Sequence, residues 1–403
     1  MNISTKKILI LGGGQAQIEL IKTAKTLGLY TIVVGIKGNY PGYYLADKVY
    51  YVDINDKEAV LKIAQTEDID GISMVCSDYG LQTVGYVCDR LNLRGISEDA
   101  ALNSSNKYIM KSALENAGIS TAKFLKVHNE NELYDAISTL QFPVIVKAVD
   151  LQGSKGVIKC NTPKEVVPAF RNAIGLSREL YCIVEEYIEG EEFGAQAFVY
   201  NGKVLFVQPH GDIVLRTEQS CIPVGHYMPY MQENQYLLSK INRTIIGAIE
   251  ALKFNNCAIN VDLIFKDNQP YVIELTGRAG ANFLPEVTGT YLGLNYYEMI
   301  LLGALGRNPE WYFNERHPLQ ESYVLSKQLY STNDGKIEKI QINKNKDIRI
   351  CSLFINEGDR VHAFRNSADC IGKVLCVGKS ITDCKNKIEN FVKNDLTINI
   401  NQL

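Results

Sequence analysis

Asp262 and Glu274 have the residue type and spacing that divalent-metal chemistry requires. They lie in the stretch CAINVDLIFKDNQPYVIELTGRAGANFLPE, from Cys257 to Glu286. Asp262 falls within one alternating apolar run and Glu274 ends a second, with a turn at 266–270 between them. The two strands of a hairpin would then carry one carboxylate each, and Arg278 follows four residues after the second. Paired carboxylates on rigid strands beside an arginine suit a divalent metal bound to a polyphosphate. Two solvated acids on an edge hairpin are the alternative.

A second group of residues points to phosphate. The run Phe142-Pro143-Val144-Ile145-Val146-Lys147 reads as a buried strand ending in a lysine, a point charge for phosphate oxygens. Six residues later, Gly153-Ser154-Lys155-Gly156 forms a loop whose amides can close over an anion. A Walker loop is absent, since GxxxxGK[ST] does not occur. The strand-like run 183–188 contains Glu185, Glu186 and Ile188, and Glu192 follows shortly after. Backbone groups there can meet an adenine edge, and a carboxylate can take ribose hydroxyls. Gly12-Gly13-Gly14-Gln15 sits between a strand and a helix, where amides bind anions. The dinucleotide fingerprint fails there, because Gln17 replaces its third glycine and no acid ends the second strand.

These residues need a scaffold, and the chain is long enough to supply one. Its 403 residues predict two or three domains. With 46% hydrophobic and 22% charged residues and a net charge of −3, the composition is that of a globular protein. No basic cluster interleaved with aromatics indicates nucleic acid as a partner, and no apolar run is long enough to span a membrane. Lys6 and Lys7 precede only four apolar residues, so no secretory signal is expected. Ten scattered cysteines without metal spacing predict reduced thiols in the cytoplasm.

Residues 1–97 alternate strands and helices in the manner of a parallel, doubly wound α/β sheet. Gly28 is placed to stop the first helix. Ser104 or Ser105 is placed to cap a helix carrying Lys107. Two strand patterns flank the glycine loop and a helix near 163–174, and antiparallel strands fill 192–274 around a helix at 235–252. Residues 309–318 read as a connector. Strand-like stretches at 348–377 and a helix opened by Ser380 form a small α+β domain.

Taken in order, Lys107, Lys147, the glycine loop, Glu185–Glu192, Asp262, Glu274 and Arg278 resemble the ATP-grasp superfamily of carboxylate–amine ligases. The resemblance covers residues from about 1 to 306. It implies an α/β and α+β architecture. A pre-ATP-grasp domain would occupy 1–97, the ATP-grasp domain 98–310 with a lid at about 120–190, and a C-terminal domain 311–403. It also implies roles. Lys107 and Lys147 would hold phosphates of ATP, and Gly153, Ser154, Lys155 and Gly156 would form the lid loop. Glu185, Glu186 and Ile188 would receive adenine, and Glu192 the ribose. Asp262 and Glu274 would bind magnesium, or manganese in its place, and Arg278 would meet the transferred phosphoryl group. Many members carry asparagine where this chain has Thr276, so Thr276 or Asn282 would supply any third metal contact.

The reaction so implied converts a carboxylate into an acyl phosphate for attack by an amine, releasing ADP and phosphate. The run 278–285 and the C-terminal domain look similar to L-amino-acid ligases, with His210, Arg216 and His226 in a segment placed to line the acceptor pocket. Gly12–Gly14 is similar to purine-pathway ligases that act on phosphoribosylamine or aminoimidazole ribonucleotide, the runner-up reading. A biotin-carboxylase-like activity is weaker, and an ATP-binding sensor is the non-enzyme alternative. Partners are small-molecule carboxylates and amines, and a homodimer is in keeping with the family.

Overall fold

The computed structural model describes residues 3–153, 155–216, 221–320 and 322–402. It divides into two compact units. The first comprises Met1–Val207, Glu233–Ala279 and Ile300–Pro309; the second comprises Gln208–Gln232, Gly280–Met299 and Glu310–Leu403.

The first unit begins with β1 (Lys7–Leu11), α1 (Ile18–Thr26), β2 (Tyr30–Gly35), β3 (Lys48–Tyr51), α2 (Lys57–Glu67), β4 (Gly71–Ser73) and α3 (Leu81–Leu91). The strands pair in parallel in the order β3-β2-β1-β4. Ile8 to Leu11 are all fully buried, as a sheet covered on both faces requires. Gly28, at φ +76°, follows the end of α1 as expected.

Next come α4 (Glu98–Ser105) and α5 (Lys107–Asn116). Their junction differs from expectation. Asn106 caps α5, its Oδ1 accepting from the amides of Tyr108 (3.0 Å) and Ile109 (3.2 Å). Ser104 and Ser105 instead end α4, each hydroxyl donating back to the Ala101 carbonyl. Extended backbone at Asn106 (φ −117°, ψ 111°) gives it the cap geometry, whereas the serines remain helical.

A four-stranded antiparallel sheet follows: β5 (Phe124–Val127), α6 (Glu130–Thr139), β6 (Val144–Ala148), β7 (Val157–Cys160), α7 (Pro163–Leu176) and β8 (Cys182–Glu186). Its order is β5-β8-β6-β7, and Leu133, Val146, Phe170 and Val184 belong to the core between the sheet and its helices. Then come β9 (Glu191–Tyr200), β10 (Lys203–Arg216), β11 (Cys221–Met228), α8 (Gln235–Ala251), β12 (Cys257–Lys266) and β13 (Gln269–Thr276). Within the first unit β12 pairs antiparallel with both β9 and β13.

The second unit takes up most of β10, then β11, α9 (Leu284–Leu292) and the start of α10 (Tyr296–Ala304), and continues from Glu310. The expected connector contains one short helix, α11 (Glu310–Asn314). Beyond it lie β14 (Tyr323–Tyr330), β15 (Gly335–Ile342), β16 (Ile348–Leu353), β17 (Arg360–Val361), β18 (Cys370–Gly378), α12 (Ile381–Asn394) and β19 (Leu396–Gln402). Strand order here is β10-β11-β14-β18-β16, with a second sheet β17-β15-β19. Ser380 caps α12 as expected, accepting from the Asp383 amide at 3.0 Å. Among the described residues, no helix is long and apolar enough to cross a membrane.

Gly293 ends α9 at φ +69°, and a Cβ there would lie 1.7 Å from the His317 carbonyl oxygen. Gly293→Ala is expected to cost about 3 kcal/mol or more through left-handed strain plus overpacking. A urea midpoint equal to the parent's would contradict this.

Candidate functional site

The hairpin of β12 and β13 places Asp262 directly opposite Glu274, and Asn260 opposite Thr276. On the other side of β12, Gly194 pairs with Asp262 and Gln196 with Asn260. Directly paired residues share a face, and period-two alternation puts Asn260 and Asp262 on the same one. Polar groups therefore line this face. Gln196 Nε2 donates to Asn260 Oδ1 at 2.6 Å, and Asn260 Nδ2 donates to Asp262 Oδ1 at 3.1 Å. Gly194 adds no side chain in front of the acids. Asp262 is exposed and Glu274 half-buried, while the Thr276 hydroxyl is buried without a hydrogen-bond partner among the described residues.

The lysines converge from other elements. Lys107, the first residue of α5, donates from Nζ to the Leu151 carbonyl (2.7 Å) and to Glu274 Oε1 (3.2 Å). One ammonium thus joins the loop after β6 to the acid pair. Lys147, near the end of β6, forms an ion pair with Glu185 of β8. Lys111, one turn after Lys107, reaches Glu185 Oε2 at 2.8 Å and donates to Thr121 Oγ1 at 2.8 Å. Glu185 is 2% exposed and Lys111 fully buried. Burial opposes the charge on Glu185, but Lys111 and Lys147 outweigh it and hold the carboxyl down at about 2. Burial also lowers the Lys111 ammonium from its ordinary value, against the pull of the carboxylate.

Of the other expected contacts, Glu186 is half-buried and its Oε1 accepts from the Gln141 amide at 3.1 Å. Ile188 is buried, and Glu192 is exposed on β9. In the loop, Gly153 (φ +63°) and Gly156 (φ +66°) are left-handed, and Lys155 is exposed. Ser154 lies outside the described residues. The Gly156 carbonyl accepts from the Ala148 amide at 2.8 Å, closing the loop at its base. Asn282 belongs to the second unit.

Arg278 is held by a residue that sequence reading missed. Its Nε donates to Asp78 Oδ1 at 2.5 Å and its Nη2 to Oδ2 at 2.8 Å, a two-point fork. Burial opposes the charge on Arg278, and the Asp78 carboxylate more than compensates, raising its pKa. The Asp78 amide donates to Gln152 Oε1 at 3.2 Å, so the loop after β4 also touches the glycine loop. Lys111 was findable, since it follows Lys107 by four residues on one helix face. Asn260 was findable too, two residues before Asp262. The Gly12–Gly14 turn is closely packed: a Cβ on Gly13 would lie 2.4 Å from the Tyr43 ring.

The acid pair tolerates a hard divalent ion. Magnesium takes one or two protein carboxylates and fills its other positions with water and phosphate oxygens. Asp262 and Glu274 supply those carboxylates, and the unsatisfied Thr276 hydroxyl adds an oxygen on the same face.

Residues 105–282 match the model for the ATP-grasp (A) domain of phosphoribosylglycinamide synthetase. The crystal structure of phosphoribosylglycinamide synthetase from Anaerococcus prevotii is 38% identical, with a TM-score of 0.85 over 98% of this chain and 100% of that one. The formate-dependent phosphoribosylglycinamide formyltransferase of Wolinella succinogenes is 28% identical over 309 residues, 73% of this chain and 74% of that protein. The L-amino acid ligase from Bacillus licheniformis shares the fold, with a TM-score of 0.81 at 20% identity over 99% of each chain. Fold and relatives define the class as an ATP-dependent, ADP-forming enzyme that activates a carboxylate. The chain belongs to the ATP-grasp family.

Removing Glu185 would leave two buried ammonium groups without their anion, so Glu185→Ala is expected to cost about 3–5 kcal/mol in urea unfolding. The depressed pKa fixes the pH window. Stability from Glu185 is complete above its ordinary value of 4.5 and is lost as pH falls toward about 2. Parent stability should therefore fall more steeply than the variant's across that interval, and parallel pH profiles would contradict the pairing.

Proposed function

We propose that this enzyme joins the carboxylate of an amino acid to an amine through an acyl phosphate. The observation that carries the reading is the Lys107 ammonium, which links the glycine-loop segment at Leu151 to Glu274 of the acid pair. A lysine bridging the segment before the glycine loop and a metal-type carboxylate is suited to the phosphates of ATP.

An ionised carboxylate resists amine attack because it is negatively charged and would have to expel oxide. In the proposed first step a substrate carboxylate oxygen bonds to the γ-phosphorus of ATP and ADP leaves. In the second the amine nitrogen bonds to the acyl carbon, phosphate leaves with the bonding pair, and the nitrogen loses a proton. Catalysis of this kind rests on positioning and charge compensation. Lys107 and Lys147 would hold phosphates, Arg278 would face the transferred group, and Gly153–Gly156 would shield the intermediate from water. Glu185, Glu186 and Ile188 would border adenine, with Glu185 acting through the lysines it orders, and Glu192 would take the ribose. Asp262 and Glu274, with Thr276 beside them, would hold magnesium, which neutralises phosphate charge when bound. Manganese suits the same oxygen donors.

The amino-acid carboxylate is favoured by the names of two structural relatives, whereas formate is the carboxylate named for the Wolinella relative. One makes phosphoribosylglycinamide, an amide of glycine, and another ligates L-amino acids. A glycosylamine phosphate is the amine in the first reading and a second amino acid in the other. The nine cysteines whose side chains are described are all free thiols, which supports a reducing cytoplasm.

Phosphate release from ATP–magnesium should be measured with two substrate pools, all L-amino acids in one and glycine with freshly generated phosphoribosylamine in the other. Release with either establishes the ligase and identifies the amine. Silence in both would overturn the amino-acid reading. Glu274→Gln and Lys147→Ala are expected to lower turnover at least about a hundredfold while the protein remains folded. Parental turnover in either variant would remove these residues from the chemistry.

A further inference from the structure

The second unit contains a cluster that the proposed ligase chemistry does not use. His210 and Asp212 lie two residues apart on β10 and so share a face, and His226 on β11 is the register partner of Asp212. The Nδ1 atoms of His210 and His226 lie 3.0 and 2.6 Å from the same oxygen, Asp212 Oδ1. The rings meet edge-on, with centroids 5.2 Å apart. His210 is 1% exposed and His226 4%, and each Nε2 is buried without a hydrogen-bond partner among the described residues.

Counting protons against lone pairs shows what the cluster lacks. Two neutral imidazoles bring two N–H donors, and both can be spent on Asp212. The same three atoms, two Nδ1 lone pairs and an Asp212 oxygen, can instead converge on one cation, each ring then carrying its proton on Nε2. An electrophile is the missing component. Each of the three residues can offer one ligand atom within 4.8 Å of the others.

We infer that His210, Asp212 and His226 form a binding site for a divalent transition metal of the zinc type. Two imidazoles and one carboxylate suit zinc, cobalt or nickel, whereas magnesium prefers all-oxygen donors. The site is therefore chemically distinct from the Asp262–Glu274 pair. Three protein ligands leave a position for water, as in zinc sites that exchange ligands. The Asp212 side chain, 15% exposed, gives the ion a route from solvent.

The test uses the full-length protein, stripped with a chelator and titrated with Zn²⁺ and with Co²⁺ by calorimetry. One equivalent should bind, and Zn²⁺ should displace Co²⁺. His226→Gln, His210→Asn and Asp212→Asn should each weaken binding at least about tenfold, while Glu274→Gln should leave it unchanged. X-ray absorption of the Zn²⁺-loaded parent, which needs no variant to fold, should show two imidazoles in the metal's coordination shell. Failure to bind one equivalent, affinity unchanged in the folded variants, or fewer than two imidazoles at the ion would overturn the assignment.

Discussion

A carboxylate shut away from water stays charged only while something positive stands beside it, and Glu185 has two such neighbours. Lys111 reaches it from α5 and Lys147 from β6, while Glu185 itself belongs to β8. The pairing works only when helix and sheet are correctly docked, because a displaced lysine would leave a buried charge unmatched. It thereby fixes α5, and with it Lys107 one turn earlier, against the sheet that carries the glycine loop. The placement of the proposed phosphate lysines follows from this electrostatic requirement.

A second constraint orients the acids. Asp262 is exposed, and exposed carboxylates rotate freely unless something holds them. The Gln196–Asn260–Asp262 file of hydrogen bonds runs across two strands and gives the carboxylate a preferred direction. Arg278 is fixed in the same way by Asp78 at two points. Each proposed reacting-centre group thus has a neighbour that sets its orientation, which preorganised charge stabilisation requires.

Sequence alone revealed those parts of this arrangement that depend on local periodicity. The alternating runs around Asp262 and Glu274 predicted a hairpin with one acid on each strand; the structure has that hairpin, and its register sets the two acids opposite each other. The parallel sheet, the lysine at the end of β6 and the helix opened by Ser380 were equally legible. Pairings set by tertiary packing were not. Asp78 and Arg278 lie 200 residues apart, and nothing near Asp78 marks it. The choice of Asn106 over Ser104 or Ser105 as cap depended on where α4 ended, a matter of one or two residues. His226 was visible as a histidine, but its place opposite Asp212 is a fact of strand register. The strands β15 and β19 were missed, although Leu396, Ile398 and Ile400 alternate with polar residues along β19.

The double contact of Lys107 has a consequence for how the site fills and empties. With its ammonium shared between Leu151 and Glu274, the resting protein carries an internal counter-ion. A metal held by Glu274 would have to displace this ammonium, so one cation would be exchanged for another there and not simply added. The lysine so released can turn toward incoming phosphate, which couples arrival of the two. Were such a metal lost, the tethered ammonium would be at hand to take its place beside Glu274. Turnover can thus proceed without the acid pair ever standing uncompensated.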